Sequence, residues 1–471
     1  MSVDTEVNRN SLRPQAALLA AQRHILRSNL FFGATEFIVA GSMMLLYAND
    51  VLHFSASRIA AVLSMTPLLA VLRFLFLPLS RRMGFVPNLL AFGLLRVGLI
   101  GVIAATPARH LTYPLFISLI LLYGLATQLG FGTVWQPMIR QVTNRDERGD
   151  FFSRMRFSFS TITVLVSILA SIFIGSSITE IQYKGLLALA MAGQLNHVFW
   201  LWRMPKGIAE APAAPANARG VWKSIVAALR SSRLLRRPLV IPILLAFAGL
   251  PLFVLYLRTV INVPSNLIAW YLVAANVAAT LSFLFWGRVA DTVGFKPMLI
   301  GLQIISMALA PLILLVTPLA PGAALAGPKL FSLAALFVSG TLAGSLGAGL
   351  GIVMTNILHY YVRRSEALEA MNLYALAVVA FQALATMASG WLVDRVGNSS
   401  GSILFGRGFF HLDWVKAWLV LGAPLLQLAV IWNTLRLPVP RRHFGAADFF
   451  ASMNRAALKI KPDPSSETPR A

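Results

Sequence analysis

The chain contains no cysteine, which removes disulfides, thiolate nucleophiles and cysteine metal sites from consideration. Its 7 histidines are scattered, and none has a partner at ligand-like spacing. Charge is scarce: 12% of residues are Asp, Glu, Lys or Arg, against about a quarter in a soluble domain. Acidic residues are the rarer kind, 17 against 40 Lys and Arg. No Gly-rich phosphate loop of the ATPase type occurs, so ATP-driven action would need a separate subunit. No second acid or histidine accompanies the one carboxylate buried in an apolar run, which argues against a membrane-embedded enzyme. The first 28 residues lead into a long apolar run without a small-residue cleavage site, so they do not read as a removable signal peptide.

What the chain has in abundance is apolar length. Hydrophobic residues make up 57% of it, with a mean hydropathy of +0.73. Leu30 to Tyr47 carries a single charge, and Leu239 to Leu257 and Ala417 to Trp432 carry none. Windows of roughly 20 apolar residues are what a bilayer core of about 30 Å asks of a helix. Twelve such spans are expected at 29–49, 57–79, 85–106, 114–134, 156–178, 183–202, 239–261, 266–286, 297–317, 331–358, 371–393 and 414–435. The expected fold class is therefore an all-α integral membrane protein of twelve transmembrane helices in two six-helix bundles. With a cytoplasmic N-terminus, 30 of the 40 Lys and Arg fall on the inner side, 7 on the outer side and 3 within spans. The reverse orientation would break the positive-inside rule. The net charge of +23 is thus a topology signal, with attraction to anionic inner-leaflet lipid as a secondary effect. No basic and aromatic pattern sits on a soluble module, which excludes nucleic acid as the expected partner.

The segments divide as 1–28, an inner N-terminal stretch; 29–202, a first bundle; 203–238, an inner linker; 239–435, a second bundle; and 436–471, a basic inner tail. The linker holds eight Lys and Arg and an Ala and Pro run (EAPAAPANA). Pro14 to Arg27 and Val221 to Leu235 each read as an amphipathic helix able to lie on the inner leaflet. An internal repeat supports the two-bundle division. Gly84-Phe85-Val86-Pro87 follows the second span and Gly294-Phe295-Lys296-Pro297 follows the eighth, at an offset of 210 residues. Glu147-Arg148-Gly149 and Glu366-Ala367-Leu368, after the fourth and tenth spans, are a looser echo. Halves related in this way are a structural mark of secondary transporters.

Gly287-Arg288-Val289-Ala290-Asp291-Thr292-Val293-Gly294-Phe295-Lys296 resembles the loop signature of the major facilitator superfamily. In the first half the signature is degraded, with Leu77, Ser80, Arg81 and Arg82 ahead of Gly84. Gly390 to Gly397 (GWLVDRVG), after the eleventh span, is a further partial copy that the expected topology places outside. The resemblance implies alternating access between two pseudo-symmetric bundles. It also implies an inner latch built from Gly287, Arg288, Asp291, Gly294 and Lys296, with Arg81, Arg82 and Gly84 as the first-half counterpart. Asp291 could pair with Arg288 or Lys296 or cap a neighbouring helix. The alternative is a pair of short positive-inside loops. The fourth span lacks the Arg that marks many proton-coupled members of the family, and the fifth lacks the Gly-Pro and Gly-Gly pattern of drug-proton antiporters, so placement in a drug-efflux subfamily is not implied.

Within the spans one carboxylate is buried, Glu36, roughly 10 Å from the inner end at ~1.5 Å per residue. A charge there costs several kcal/mol unless protonated, hydrated or paired. Arg73 and Arg96 are the available partners. Glu36 reads either as a proton-loading group or as half of a fixed ion pair. Buried Arg also raises the possibility of an anionic substrate, with Arg96 ahead of Arg258, which can snorkel. By the family resemblance, Thr127, Gln128, Tyr256 and Asn356 line a central cavity with Glu36, joined by Asn276 and Gln382. Each could instead be an interhelical hydrogen-bond partner. The Trp near span ends, among them Trp135, Trp200, Trp270, Trp286, Trp391 and Trp432, read as interface anchors. The glycines of the tenth span, Gly340, Gly344, Gly347, Gly349 and Gly351, read as a ridge for close helix packing, with a bend during rocking as the alternative.

The expected function is secondary transport of a small solute, with protons as coupling ion, by a monomer in a bacterial cytoplasmic membrane with both termini inside. No cofactor or metal is expected. The alternative, from another class, is a non-transporting membrane scaffold on the same fold.

Overall fold

The computed structural model describes residues 15–143, 148–205, 233–319, 328–361, 367–398, 405–407 and 410–437. Twelve helical rods occupy most of these residues. They are α1 (15–50), α2 (56–83), α3 (Phe85–Ala105), α4 (113–142), α5 (Arg148–Phe173), α6 (Glu180–Trp202), α7 (233–259), α8 (Ser265–Val293), α9 (295–315), α10 (Pro328–Tyr361), α11 (Ala367–Asn398) and α12 (414–435). A short antiparallel hairpin, β1 (Phe405–Arg407) and β2 (Phe410–Leu412), precedes α12. Strands this short leave no period-2 signal in the residues. Among the described residues, ten helices are long and apolar enough to cross a membrane. Of the two that fall short, α2 contributes a shorter apolar stretch, Ala56–Val71, and α6 carries Gln194, Asn196 and His197 within its apolar run.

The first rod differs from expectation. Helix begins at Gln15 and runs into the first span instead of lying apart on a leaflet. Ala21 and Ile25 are fully buried, in one cluster with Phe85, Leu89, Trp135 and Leu201, so bundle packing captures this segment's apolar face. The helix expected at 221–235 lies outside the described residues up to 232, and from Arg233 the chain is already α7. The end of the tail, from 438, also lies outside them.

The two halves share their irregularities. Gly84 and Gly294 adopt φ 85°, ψ 166° and φ 85°, ψ 164°, a conformation that side-chain-bearing residues resist. Each amide donates to a carbonyl four residues back, Ser80 and Ala290. The lead helices of the halves are both broken, α1 at Gly41 (φ −108°, ψ −155°) and α7 between Ala248 and Phe253. Gly41 and Pro251 fall at the same 210-residue offset as the two glycine turns.

Packing is closed at one face and parted at the other. At the face away from the termini one apolar cluster runs through both halves, joining Met43, Tyr47 and Ile59 to Leu252, Tyr256, Ile261, Val393 and Val415. Toward the termini the core splits. One cluster holds α1, α3, α4, α5 and α6 together, and a separate one holds α7 to α10 and α12 around Trp286, Met298 and Val353. The halves stay in register through α2 against α11 and α5 against α8. There Asn276 Nδ2 donates to Ser167 Oγ at 3.0 Å, and Ser160 and Thr280 share a bond of 2.5 Å.

Candidate functional site

Between the parted ends lies a cavity of about 450 Å³ lined by Asn29, Phe32, Glu36, Thr127, Phe131, Trp135, Met155, Arg156, Phe159 and Thr355. Two π-helical turns shape it, Glu36–Ala40 in α1 and Gln128–Gly132 in α4. Such turns widen a helix by one residue, re-aim its side chains and gather at functional sites. Glu36 opens the first, and Thr127 directly precedes the second. Partners from neighbouring helices steady the widened backbone of α1: Tyr183 donates to the Ile38 carbonyl at 3.4 Å, and Thr35 to the Ala190 carbonyl at 2.9 Å.

Glu36 pairs with Arg96. Arg96 Nη2 lies 2.5 Å from Glu36 Oε1, and the same nitrogen donates to the Tyr123 hydroxyl. Tyr123 in turn donates to Glu36 Oε1 at 3.4 Å. The guanidinium is stacked between Phe32 and Tyr123, 4.8 and 4.6 Å from their ring centres. The carboxylate side chain is 28% exposed and its arginine 3%, so Glu36 faces the cavity and Arg96 stands behind it. Arg96 is not among the residues that line the cavity. Arg73, the other expected partner, is bonded instead to Gln128 Oε1, and its Nε has no hydrogen-bond partner among the described residues.

Of the remaining cavity candidates, Thr127 lines the cavity and donates to the Tyr123 carbonyl at 2.9 Å. Gln128 is turned to Arg73. Tyr256 is displaced from the expectation: it is fully buried at the far face, donating to Asp413 Oδ2 at 2.6 Å. Asn276 is an interhelical partner of Ser167, and Gln382 is exposed on α11. The Asn356 side chain lies outside the described residues, as do those of Arg81 and Asp291. Arg156, Tyr123, Phe32, Phe131, Phe159 and Thr355 were not singled out from the sequence. Arg156 sits where positive-inside residues cluster, and the aromatics are lost in a background of 30 Phe. Two tryptophans read as interface anchors are core residues, Trp135 and Trp286, at 2% and 4% exposure; Trp391 and Trp432 are exposed.

The signature loop is partly engaged. Lys296 Nζ donates to the Leu435 carbonyl at 2.8 Å and the Leu437 carbonyl at 3.2 Å, closing the C-terminal end of α12 where cations are favoured. Gly287 meets open space, and Arg288 and Arg82 are exposed.

The far face is tied by charge. Asp50 Oδ1 accepts from Arg258 Nε at 2.8 Å, and its Oδ2 from Ser265 Oγ at 2.7 Å. Arg258 is therefore paired across the halves. Asp394, inside the third copy of the signature, accepts from the amides of Ala56 and Ser57, both at 2.8 Å. It caps α2, an arrangement that suits an unpaired helix N-terminus. Lys416, near the start of the span expected over 414–435, is fully buried: Nζ reaches the Val316 carbonyl and, at 3.1 Å each, the carbonyl and Nδ1 of His411. The hairpin and the loop after α9 fold over it. Burial, and next the Lys416 ammonium, push the His411 imidazole below its ordinary range, outweighing Asp413 at 3.6 Å.

The Major Facilitator Superfamily model matches residues 25–318, more than half of the chain. The chain belongs to the Major Facilitator Superfamily. Among solved structures, a nucleoside transporter NupG (D323A mutant) superposes with a TM-score of 0.63 at 15% identity, over 89% of this chain and 99% of that one. A D-xylose-proton symporter gives 0.61 at 14% identity, over 89% and 97%. The xylose transporter XylE from E. coli, in a partially occluded inward open conformation, gives 0.60 at 16% identity, over 90% and 100%. At these identities the likeness is one of fold. No curated protein matches the sequence.

Proposed function

We propose that this superfamily member is a secondary active transporter that moves a small solute by alternating access, with proton movement through Glu36 as its driving step. The observation that carries the reading is the Glu36, Arg96 and Tyr123 cluster, placed on the wall of a cavity between halves that are joined at one face and parted at the other. A carboxylate reachable from the cavity can take a proton, and protonation removes the charge that Arg96 neutralises. The freed guanidinium keeps Tyr123 and loses its ion pair, so the cluster has two arrangements of different charge. Solvent reaches Glu36 from one face at a time if the halves rock about the α2–α11 and α5–α8 contacts.

The segment division at 202 and 239 is the corresponding proposal for the moving units. We place the termini-bearing face in the cytoplasm of a bacterial cell, since the Lys and Arg excess lies there, and read the inner signature loop, Asp291 included, as the latch of the opposite state. The solved relatives named for nucleosides and xylose support solute transport as a class. The test is reconstitution of the full chain into vesicles with a panel of labelled solutes. Saturable counterflow supports the reading, and a pH gradient should drive accumulation in the wild type and not in Glu36→Gln. Absence of any flux from correctly folded protein, with a stable co-purifying partner, would favour a scaffold instead.

A further inference from the structure

Arg156, on α5, brings a guanidinium to the cavity wall. Its Nη2 donates to Thr355 Oγ1 of α10 at 2.9 Å, and Nη1 runs past Gly351, where a Cβ would lie 3.2 Å away. Thr355 spends its own proton on the Gly351 carbonyl at 2.8 Å, which leaves its oxygen free to accept from Arg156. Among the described residues no carboxylate lies within 4 Å of Arg156, and the cavity's one carboxylate, Glu36, is held by Arg96. The cavity therefore carries, among the described residues, one positive charge, Arg156, whose bonded partner is a neutral hydroxyl. Water in the open cavity can solvate that charge, but closing the cavity removes the water and makes an uncompensated cation costly.

The rest of the wall is flat and apolar. Phe32 stacks on Phe131 with ring centres 4.7 Å apart, Phe131 on Trp135 at 4.6 Å, and Phe159 closes the side at 6.4 Å from Phe32. A cavity of about 450 Å³ lies within the usual range of small-molecule sites.

We propose that the cavity takes an organic anion with a flat apolar body, such as an aromatic carboxylate, with the anionic group on Arg156 and Thr355 and the ring against Phe131 and Phe159. The assignment rests on the transport reading and names its substrate class. A guanidinium offers two parallel N–H donors that match a carboxylate, and desolvation on closure strengthens the pair. A sugar or other neutral solute would leave Arg156 uncompensated in the closed state. Arg156 and Thr355 also belong to different halves, so an anion held by both replaces one hydrogen bond with a charge-assisted bridge. Binding then draws the parted ends together, the step that occlusion requires.

The test is ligand-induced thermal stabilisation of the purified full chain by benzoate and salicylate, against their neutral amides, acetate, uridine and xylose. Benzoate and salicylate should raise the melting temperature, benzamide and salicylamide should not, and acetate should act weakly. Arg156→Gln should raise the benzoate dissociation constant at least about tenfold, the scale of one lost charge-assisted bond. Arg156→Lys should keep part of the response, and Thr355→Val should weaken it, so the result stands even if one variant folds poorly. Equal stabilisation by acid and amide, no response to any aromatic carboxylate, or wild-type benzoate affinity in Arg156→Gln overturns the proposal. Vesicle counterflow separates it from the reading beneath. Xylose or uridine flux untouched by Arg156→Gln keeps transport and overturns the anion site. Benzoate binding that depends on Arg156, without flux of any solute, supports the site and overturns transport.

Discussion

Asp50 at the end of α1 and Arg258 at the end of α7 form an ion pair of 2.8 Å across the two halves, with Asp50 2% exposed and Arg258 23%. Because each residue ends the lead helix of its own half, the bridge can exist only while the far ends are together. Breaking a buried pair by removing one partner costs about 3–5 kcal/mol, which exceeds the few kcal/mol that typically separate two conformers. Asp50→Asn should therefore shift the population toward opening at the far face. Asp394→Ala, which removes the acceptor for the Ala56 and Ser57 amides, should shift it the same way by about 0.5–2 kcal/mol. The absence of native cysteine gives a clean readout. A single cysteine placed at Leu52, in the loop after α1, should react faster with a membrane-impermeant maleimide in both variants than in the parent. An unchanged rate would show that these contacts do not hold the face shut.

Glu36 and Arg96 make a prediction that separates chemistry from scaffolding. If Glu36 carries the coupling proton, Glu36→Gln loses accumulation driven by a pH gradient. It keeps counterflow, which needs solute exchange without net proton movement. The expected loss of driven uptake is about tenfold or more, the ratio that one pH unit can sustain at one proton per solute, worth about 1.4 kcal/mol. A fixed structural pair would behave differently. Both fluxes would fall together; the melting temperature drops under either reading, because Arg96, 3% exposed, loses its charged partner, so the flux pattern is what separates the two. Measuring both fluxes in one preparation decides between them.

Which parts of this were legible in the residues follows from the kind of signal each leaves. The bundle was, because bilayer thickness imposes span length on every helix. Gly84 and Gly294 were, because a positive φ leaves few residue choices. Glu36 stood out as a lone acid in an apolar run. Its choice of Arg96 over Arg73 was not readable, since both lie at plausible depth and the π turn at Glu36–Ala40 sets the direction of the carboxylate. Lys416 was misplaced because hydropathy ranks a lysine beside a span end as exposed. The hairpin that covers it comes from a part of the chain with no apolar period, and nothing in the sequence pairs it with the Val316 carbonyl at the end of the ninth span. Tyr256 was misplaced because helix membership fixes neither depth nor face, and its partner Asp413 lies 157 residues away.

Gly344 on α10 faces α8 so closely that a Cβ would run into the backbone of Ala275. A main-chain carbonyl cannot rotate away as a long side chain can. Gly344→Ala should cost about 1–3 kcal/mol of stability through overpacking. Gly347→Ala, which meets nothing within 4 Å, should be close to neutral. Melting temperatures of the two purified variants, taken side by side, test whether the glycine ridge serves helix contact at particular positions or bending along its whole length.

The buried cluster at the far face predicts a pH dependence of known sign. His411 faces Lys416 Nζ at 3.1 Å and Asp413 Oδ2 at 3.6 Å, and burial with the lysine beside it holds its proton affinity below the ordinary value. The folded chain thus prefers the neutral ring, while the unfolded chain binds a proton near the ordinary histidine pKa of about 6.5. Below that pH the unfolded state holds more protons, so stability contributed by this group is present above about 6.5 and falls as the pH drops. Acidifying from neutrality to about pH 5 should lower the melting temperature of the purified chain, and His411→Gln should flatten that part of the profile. Substitution of Lys416 by Met removes the charge that repels the protonated ring. It should raise the proton affinity of His411 in the folded chain toward the ordinary value and so make the acid fall smaller, provided that the Val316 carbonyl, which loses its donor, is solvated by water drawn in at the hairpin. An unaltered profile in both variants would mean that other groups, such as Glu36 or the exposed carboxylates, set the acid limit of the fold.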